Sequence, residues 1–234
     1  MSRRRLALVA AAAGALTGAA LVAALALGTG GGSPAKPSAA PLGTRRVAAM
    51  LRGVPQNGTQ LGSARAPVTL VEFADPQCPY CAEWARQALP AIVRDYVRPG
   101  KVRVVFSGMH FVGPQSQTAL RTALAAAAQH RFWNVIELLY ENQGVENTGW
   151  VTESLLRSIG ESVPGLQTQR MLDARDSAEV SRLLAEGDAL AQRAGVSSTP
   201  TFALGRTGSP LRFVTVASLA ASGIEPQIDA VLKQ

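Results

Sequence analysis

VTLVEFADPQCPYCAEWARQALP, residues 68–90, decides how the rest of this chain reads. Its opening residues, 68–74, are rich in Val and Phe and predict a strand. Residues 83–97 carry a helical apolar period. At the junction stand Cys78 and Cys81, the only two cysteines among 234 residues. Two thiols at that spacing, at a helix N-terminus, close into a small disulfide. The helix dipole and the free backbone N–H groups there stabilise the thiolate of the first cysteine. A disulfide that staples a fold joins distant positions, because long loops gain most from closure. The pair therefore reads as reactive. A zinc site would need His110 and His130 as well. With 28 residues between Cys81 and His110 and 19 between the histidines, no usual finger spacing results. No metal is expected.

Outward toward the N-terminus, Arg3, Arg4 and Arg5 precede 22 residues without charge, 6–27. At about 1.5 Å per residue this stretch spans a hydrocarbon core of about 30 Å. It exceeds the usual signal-peptide core of about 7–15 residues, although Ala24-Leu25-Ala26 offers a cleavage site. Residues 1–27 are thus read as a signal-anchor transmembrane helix, with a cleaved signal peptide as the alternative. Either way the arginines stay cytoplasmic and the remainder is exported, to a compartment where disulfides persist. The expected location is the cell membrane, single-pass, with the following domain on the extracytoplasmic side, or secreted if the signal is cleaved. Residues 28–53 read as a flexible Gly/Ser/Pro/Ala tether. It contains a possible short helix whose Val47, Met50, Leu51 and Val54 face packs on the domain. The domain proper is read as 54–234.

Outward toward the C-terminus, Pro99-Gly100 stops the helix and a strand is predicted over 101–107. A helical block follows, placed at about 114–190, with breaks near 144–149 and 164–165 and a helix start at Thr152. Strands over 201–204 and 211–216 and a last helix over 226–232 complete the chain. The order is βαβ, a helical insertion, then ββα, with parallel pairing in the first half. Apolar residues make up 47%, enough to bury a core, and net charge is +7. The positive charge is spread along the chain as arginines, with no basic block interleaved with aromatics, which argues against nucleic-acid binding.

The run over 68–90, with GVSSTPTFALG at 195–205, resembles the thioredoxin superfamily. The stretch 108–143 resembles the helical insertion of its DsbA-like, membrane-tethered thiol–disulfide oxidoreductases. The resemblance implies an α/β thioredoxin fold around a mixed central sheet, with a helical insertion between its halves. It implies that Cys78 is the nucleophile and Cys81 the buried resolving thiol of a redox-active disulfide. Pro79 and Tyr80 would tune the thiolate. Pro200 would be a cis-proline whose preceding residue, Thr199, pairs with client backbone. Glu72 would be a buried acid that relays a proton to Cys81. Asp75 competes for that role, though it reads better as a cap of the active-site helix. Trp84, Phe132 and Trp133 are expected in the core or lining a groove, and both histidines are expected to be structural.

The activity implied is donation of the Cys78–Cys81 disulfide to reduced or unfolded exported client proteins, with no cofactor beyond that disulfide. A quinone-linked membrane reoxidase would restore it. The rivals are a reductase or isomerase of the same fold, and a non-catalytic client-binding module.

Overall fold

The computed structural model describes residues 40–234. The membrane segment read over 1–27, and the tether as far as residue 39, lie outside the described residues. Among the described residues, no helix is long and apolar enough to cross a membrane.

Six strands form one mixed sheet: β1 (Gln56–Asn57), β2 (Gln60–Leu61), β3 (Val68–Ala74), β4 (Val102–Gly108), β5 (Thr201–Arg206) and β6 (Arg212–Val214). Their spatial order is β1-β2-β4-β3-β5-β6. β1 and β2 pair as a hairpin around Gly58, whose φ of 58° is a left-handed conformation that glycine adopts without strain. β3 and β4 run parallel, from Val68↔Val102 to Ala74↔Gly108. β5 lies antiparallel on the other side of β3, which brings Thr201 beside Phe73. Every residue of β3 is buried, because it is central in the sheet and covered on both faces. Glu72 therefore has no solvent-facing option, whichever way the Val71/Glu72/Phe73 alternation is phased.

The single helix expected over 83–97 is three pieces. α2 (Pro79–Gln87) begins four residues earlier, with Cys78 as its N-cap residue and Pro79 at the first helical position, where a missing N–H is harmless. α3 (Leu89–Ile92) follows, and 93–97 form a π-helical turn. Pro90 causes the break, since it cannot donate to the preceding turn.

The insertion is all helical: α4 (Pro114–Ala127), α5 (Phe132–Glu141), α6 (Glu153–Ser162), α7 (Thr168–Asp173) and α8 (Ala178–Ala194). It ends four residues beyond the expected boundary, where Gly195 at φ 70° closes α8. Thr152 is the N-cap of α6, its hydroxyl accepting from the Leu155 N–H at 3.1 Å. A last helix, α9 (Glu225–Leu232), packs against β5. β6 is half the expected length.

The core is continuous on the α2 side of the sheet. The Trp84 ring packs at a tilt with its centroid 4.3 Å from that of Phe202, and Phe106 lies 5.2 Å from Phe132 and 6.1 Å from Trp133. Trp84, Phe132 and Trp133 are fully buried, so they are core residues. The opposite face is a smaller cluster of Val71, Phe73, Met109 and Ala203 against Ala191 of α8. Within the stretch read as tether, α1 (Thr44–Leu51) buries Val47 and Leu51 and packs on α5, with Arg46 paired to Glu141.

Candidate active site

β3 delivers the chain to the site and α2 receives it. Asp75, Pro76 and Gln77 make the turn between them, and it is tied down on every side. The Asp75 carboxylate accepts from the Gln77 N–H (2.8 Å) and the Val112 N–H (3.1 Å). Its carbonyl accepts from the Cys78 N–H (3.0 Å) and the Tyr140 hydroxyl (3.4 Å). Asp75 thus does not cap α2 through its side chain. The N-cap residue is Cys78, and the Asp75 carboxylate is spent on the turn and on the loop after β4.

The helical insertion clamps the same turn. The Gln143 side-chain amide donates to the Pro76 carbonyl (2.8 Å) and the Cys78 carbonyl (3.1 Å). Gln77 donates to Ser116 (3.1 Å) and accepts from the Asn147 N–H (2.9 Å). Sequence reading did not find Gln143, Gln77, Asn147 or Tyr140. They are ordinary polar residues whose role depends on a loop folding over the site from 65 to 70 positions away.

Cys78 is 5% exposed and Cys81 is fully buried, and both are free thiols. Pro79 is exposed and Tyr80 is 61% exposed, at the rim. The Thr199–Pro200 peptide bond is cis. The Cys78 thiol donates to the Thr199 carbonyl at 3.3 Å, across 121 residues of chain. β5 follows from Pro200 and lies beside β3, which is why the two loops meet.

The Cys78 pKa is lowered to about 6, first by a hydrogen bond from the Cys81 thiol. Burial works against this. The Thr199 side chain and the backbone N–H groups of Cys81 and Tyr80 add to the lowering. The Thr199 carbonyl contributes nothing to the thiolate, since it can only accept from the protonated thiol. Cys81 has its pKa pushed well up, first by burial and then by its hydrogen bond to Cys78. The two thiols are thus driven apart, the outer one ionised at neutral pH and the inner one protonated.

Glu72 is 2% exposed, and its pKa is raised to about 8, chiefly by burial, with the nearby Cys78 charge adding to the rise. The Trp84 indole opposes the rise. Its Nε1 nevertheless completes no hydrogen bond and is an orphaned buried donor. The Glu72 charge also raises the Cys81 pKa, so the two groups feel each other.

The structure thus brings Cys78, Cys81, Glu72 and the Thr199–Pro200 loop together, with Pro79 and Tyr80 at the rim. The histidines stand apart. His110 Nε2 lies 3.1 Å from the Asp188 carboxylate, and His130 Nδ1 lies 3.0 Å from the Gln56 carbonyl. Among the described residues, no three acidic, histidine or cysteine side chains gather as a metal site.

A family model described as Thioredoxin matches residues 55–209. The chain belongs to the thioredoxin family. Within that family it is similar to Probable disulfide bond formation protein D of Bacillus cereus, with 31% identity over 144 residues, 60% of this chain and 67% of that protein. Disulfide bond formation protein D of Bacillus subtilis is 30% identical over 146 residues, 60% of this chain and 64% of that protein. The matched stretch thus spans about two thirds of the length of these curated relatives. The solved structure of oxidised BdbD from Bacillus subtilis superposes with a TM-score of 0.66 at 25% identity, covering 77% of this chain and 98% of that one. This thioredoxin-family chain is a DsbA-like thiol–disulfide oxidoreductase, with a mixed sheet and a helical insertion between the halves of its fold.

Proposed function

We propose that this oxidoreductase donates disulfides to exported proteins, with Cys78 as nucleophile and Cys81 as resolving thiol. A client thiolate attacks Cys78 Sγ. The Cys78–Cys81 bond breaks, Cys81 leaves and takes a proton, and a mixed disulfide joins Cys78 to the client. A second client thiolate attacks the client sulfur, a client disulfide forms, and Cys78 departs as a thiolate. Two electrons have passed from client to enzyme. Glu72 is read as the acid that supplies the Cys81 proton, and Thr199 with Pro200 as the edge against which client backbone is held. Pro79 and Tyr80 form the tuning dipeptide.

The observation that carries the direction is the Cys78 environment. At the N-cap of α2 its thiolate is stabilised in the reduced enzyme and has no counterpart in the disulfide, which favours reduction of the enzyme and supports the donor direction. No cofactor enters these steps beyond the disulfide itself. Turnover requires reoxidation, for which a quinone-linked membrane protein is the partner proposed. The apolar 6–27 segment would hold the domain at the outer membrane face, close to that partner and to emerging clients. The names of the relatives in Bacillus, disulfide bond formation protein D, accord with this direction.

The test is the reduction potential of the full-length protein in glutathione buffers. A value near about −120 mV is expected of a disulfide donor. A value near about −270 mV reverses the flow and makes the protein a reductase. Absence of any reversible Cys78–Cys81 disulfide overturns the catalytic reading and leaves a binding module.

A further inference from the structure

Facing Glu72 from α5 lies a second buried acid that the chemistry above does not use. Glu137 sits in the apolar run FWNVIELLYE of α5. It is 2% exposed, and its Oε2 has no hydrogen-bond partner. An ionised carboxylate left in that state is strongly disfavoured, so the group holds its proton.

Helical spacing places Trp133, Glu137 and Tyr140 on one stripe, at i, i+4 and i+7. Both neighbours on that stripe touch residues beside Glu72, while the Trp133 Nε1 itself donates to the Thr59 carbonyl of the β1–β2 hairpin. The Tyr140 hydroxyl donates to the Asp75 carbonyl, and the Trp133 ring lies 6.1 Å from Phe106, the partner of Glu72 across β4. The charged groups that face Glu137 are Glu72 from β3, Arg46 from α1 and Arg86 from α2. Burial first, and the Glu72 charge second, hold the Glu137 pKa well above the carboxylate range, against the two arginines. One turn further along α5, Glu141 pairs with Arg46, whose side chain is 39% exposed. The α5 stripe thus runs from beside Glu72 to the partly exposed Arg46–Glu141 pair. Glu72, also 2% exposed, lies in a strand buried throughout.

We propose that Glu137 is the proton store behind Glu72: it reprotonates Glu72 after that group has protonated the departing Cys81, and is itself refilled from water at the Arg46–Glu141 seam. This rests on the reading of Glu72 as relay acid. One proton moves from the Glu137 carboxyl to the Glu72 carboxylate, and one from water replaces it. No electron moves in either step. Glu137 acts only through Glu72, so it is a positioning residue.

The test is stopped-flow reduction of the oxidised full-length protein by dithiothreitol, followed by tryptophan fluorescence at about pH 6 and about pH 9, each variant expressed as a ratio to wild type. Glu72 enters the reaction protonated at the lower pH, where burial holds its proton, and ionised at the higher, above the value of about 8 that it reaches when the Cys78 charge is added in the reduced protein. Glu137→Gln is therefore expected to match wild type at the lower pH and to fall about tenfold at the higher. Glu72→Gln is expected to be slow at both, and the double variant to equal Glu72→Gln. Should Glu137→Gln not fold, Glu137→Leu, which replaces the carboxyl with an apolar side chain of similar volume, carries the same expectations. If Glu137→Gln matches wild type at both pH values while Glu72→Gln is slow, the store is overturned and the Glu72 relay stands. If Glu72→Gln also matches wild type, the relay reading falls and the store with it. Equal slowing of Glu137→Gln at both pH values shows a structural role and overturns the proposal.

Discussion

At the scale of single residues, the fold makes two chemically identical thiols unlike. Cys78 gains donors at the start of α2, and Cys81, one turn in, loses contact with water. The causes of the lowered Cys78 pKa are ordered, with the Cys81 thiol ahead of the Thr199 side chain. Cys81→Ala should therefore raise the Cys78 titration midpoint from about 6 by more than Thr199→Val does. The pH dependence of Cys78 alkylation by iodoacetamide reads both, and the reverse order would overturn the assignment of the main donor. The spacing of the cysteines announced this pair. Nothing in the spacing announced Glu137. A lone acid inside FWNVIELLYE was visible as an anomaly, but whether an anomaly faces water or core depends on what packs against its helix.

At the scale of elements, propensity and tertiary packing share control unevenly. The α6 start was legible because Thr152 caps it locally, with its own hydroxyl on the Leu155 N–H. Thr152→Ala should cost about 1 kcal/mol in urea unfolding, with the Cys78 titration unchanged, since α6 lies away from the active-site turn. A loss well below that size would mean solvent replaces the cap without penalty. The helix expected over 83–97 misled because its apolar period continues through Pro90 while its hydrogen bonding does not. β6 is shorter than its apolar pattern suggested, because only 212–214 find partners on β5.

At the scale of the whole molecule, the redox state and the pH dependence of stability are linked. In the reduced protein the Cys78 pKa is about 6 when folded and near 9 when unfolded. A depressed folded pKa gives stability that is complete above pH 9 and lost as pH falls through about 6. Glu72 has the opposite sign. Its pKa rises from 4.5 to about 8 on folding, so it lowers stability progressively from pH 4.5 and fully above about pH 8. Disulfide formation abolishes the Cys78 contribution and removes the Cys78 charge from the Glu72 shift, leaving the larger part that burial causes. The stability advantage of reduced over oxidised protein should therefore widen as pH is raised from about 6 to about 9, read by urea unfolding of both forms. A constant gap across that window would show that the Cys78 thiolate is not stabilised by the fold.

The chain's own order of residues determined a good deal. A strand, a CxxC pair, a helix start, and a Thr-Pro before a later strand carried a family resemblance that was enough for the fold class, and they singled out Cys78 and Cys81 as the proposed redox pair. Each is a local pattern, set by backbone sterics, side-chain period and hydrogen bonding within a few positions. Tertiary structure alone decided the rest: Asp75 spent on its own turn, Gln77, Gln143 and Asn147 clamped around Cys78, and Glu72 and Glu137 sealed from water. Those outcomes depend on contacts between residues tens of positions apart, and on burial, which the chain acquires only when β3, α2 and α5 close on one another.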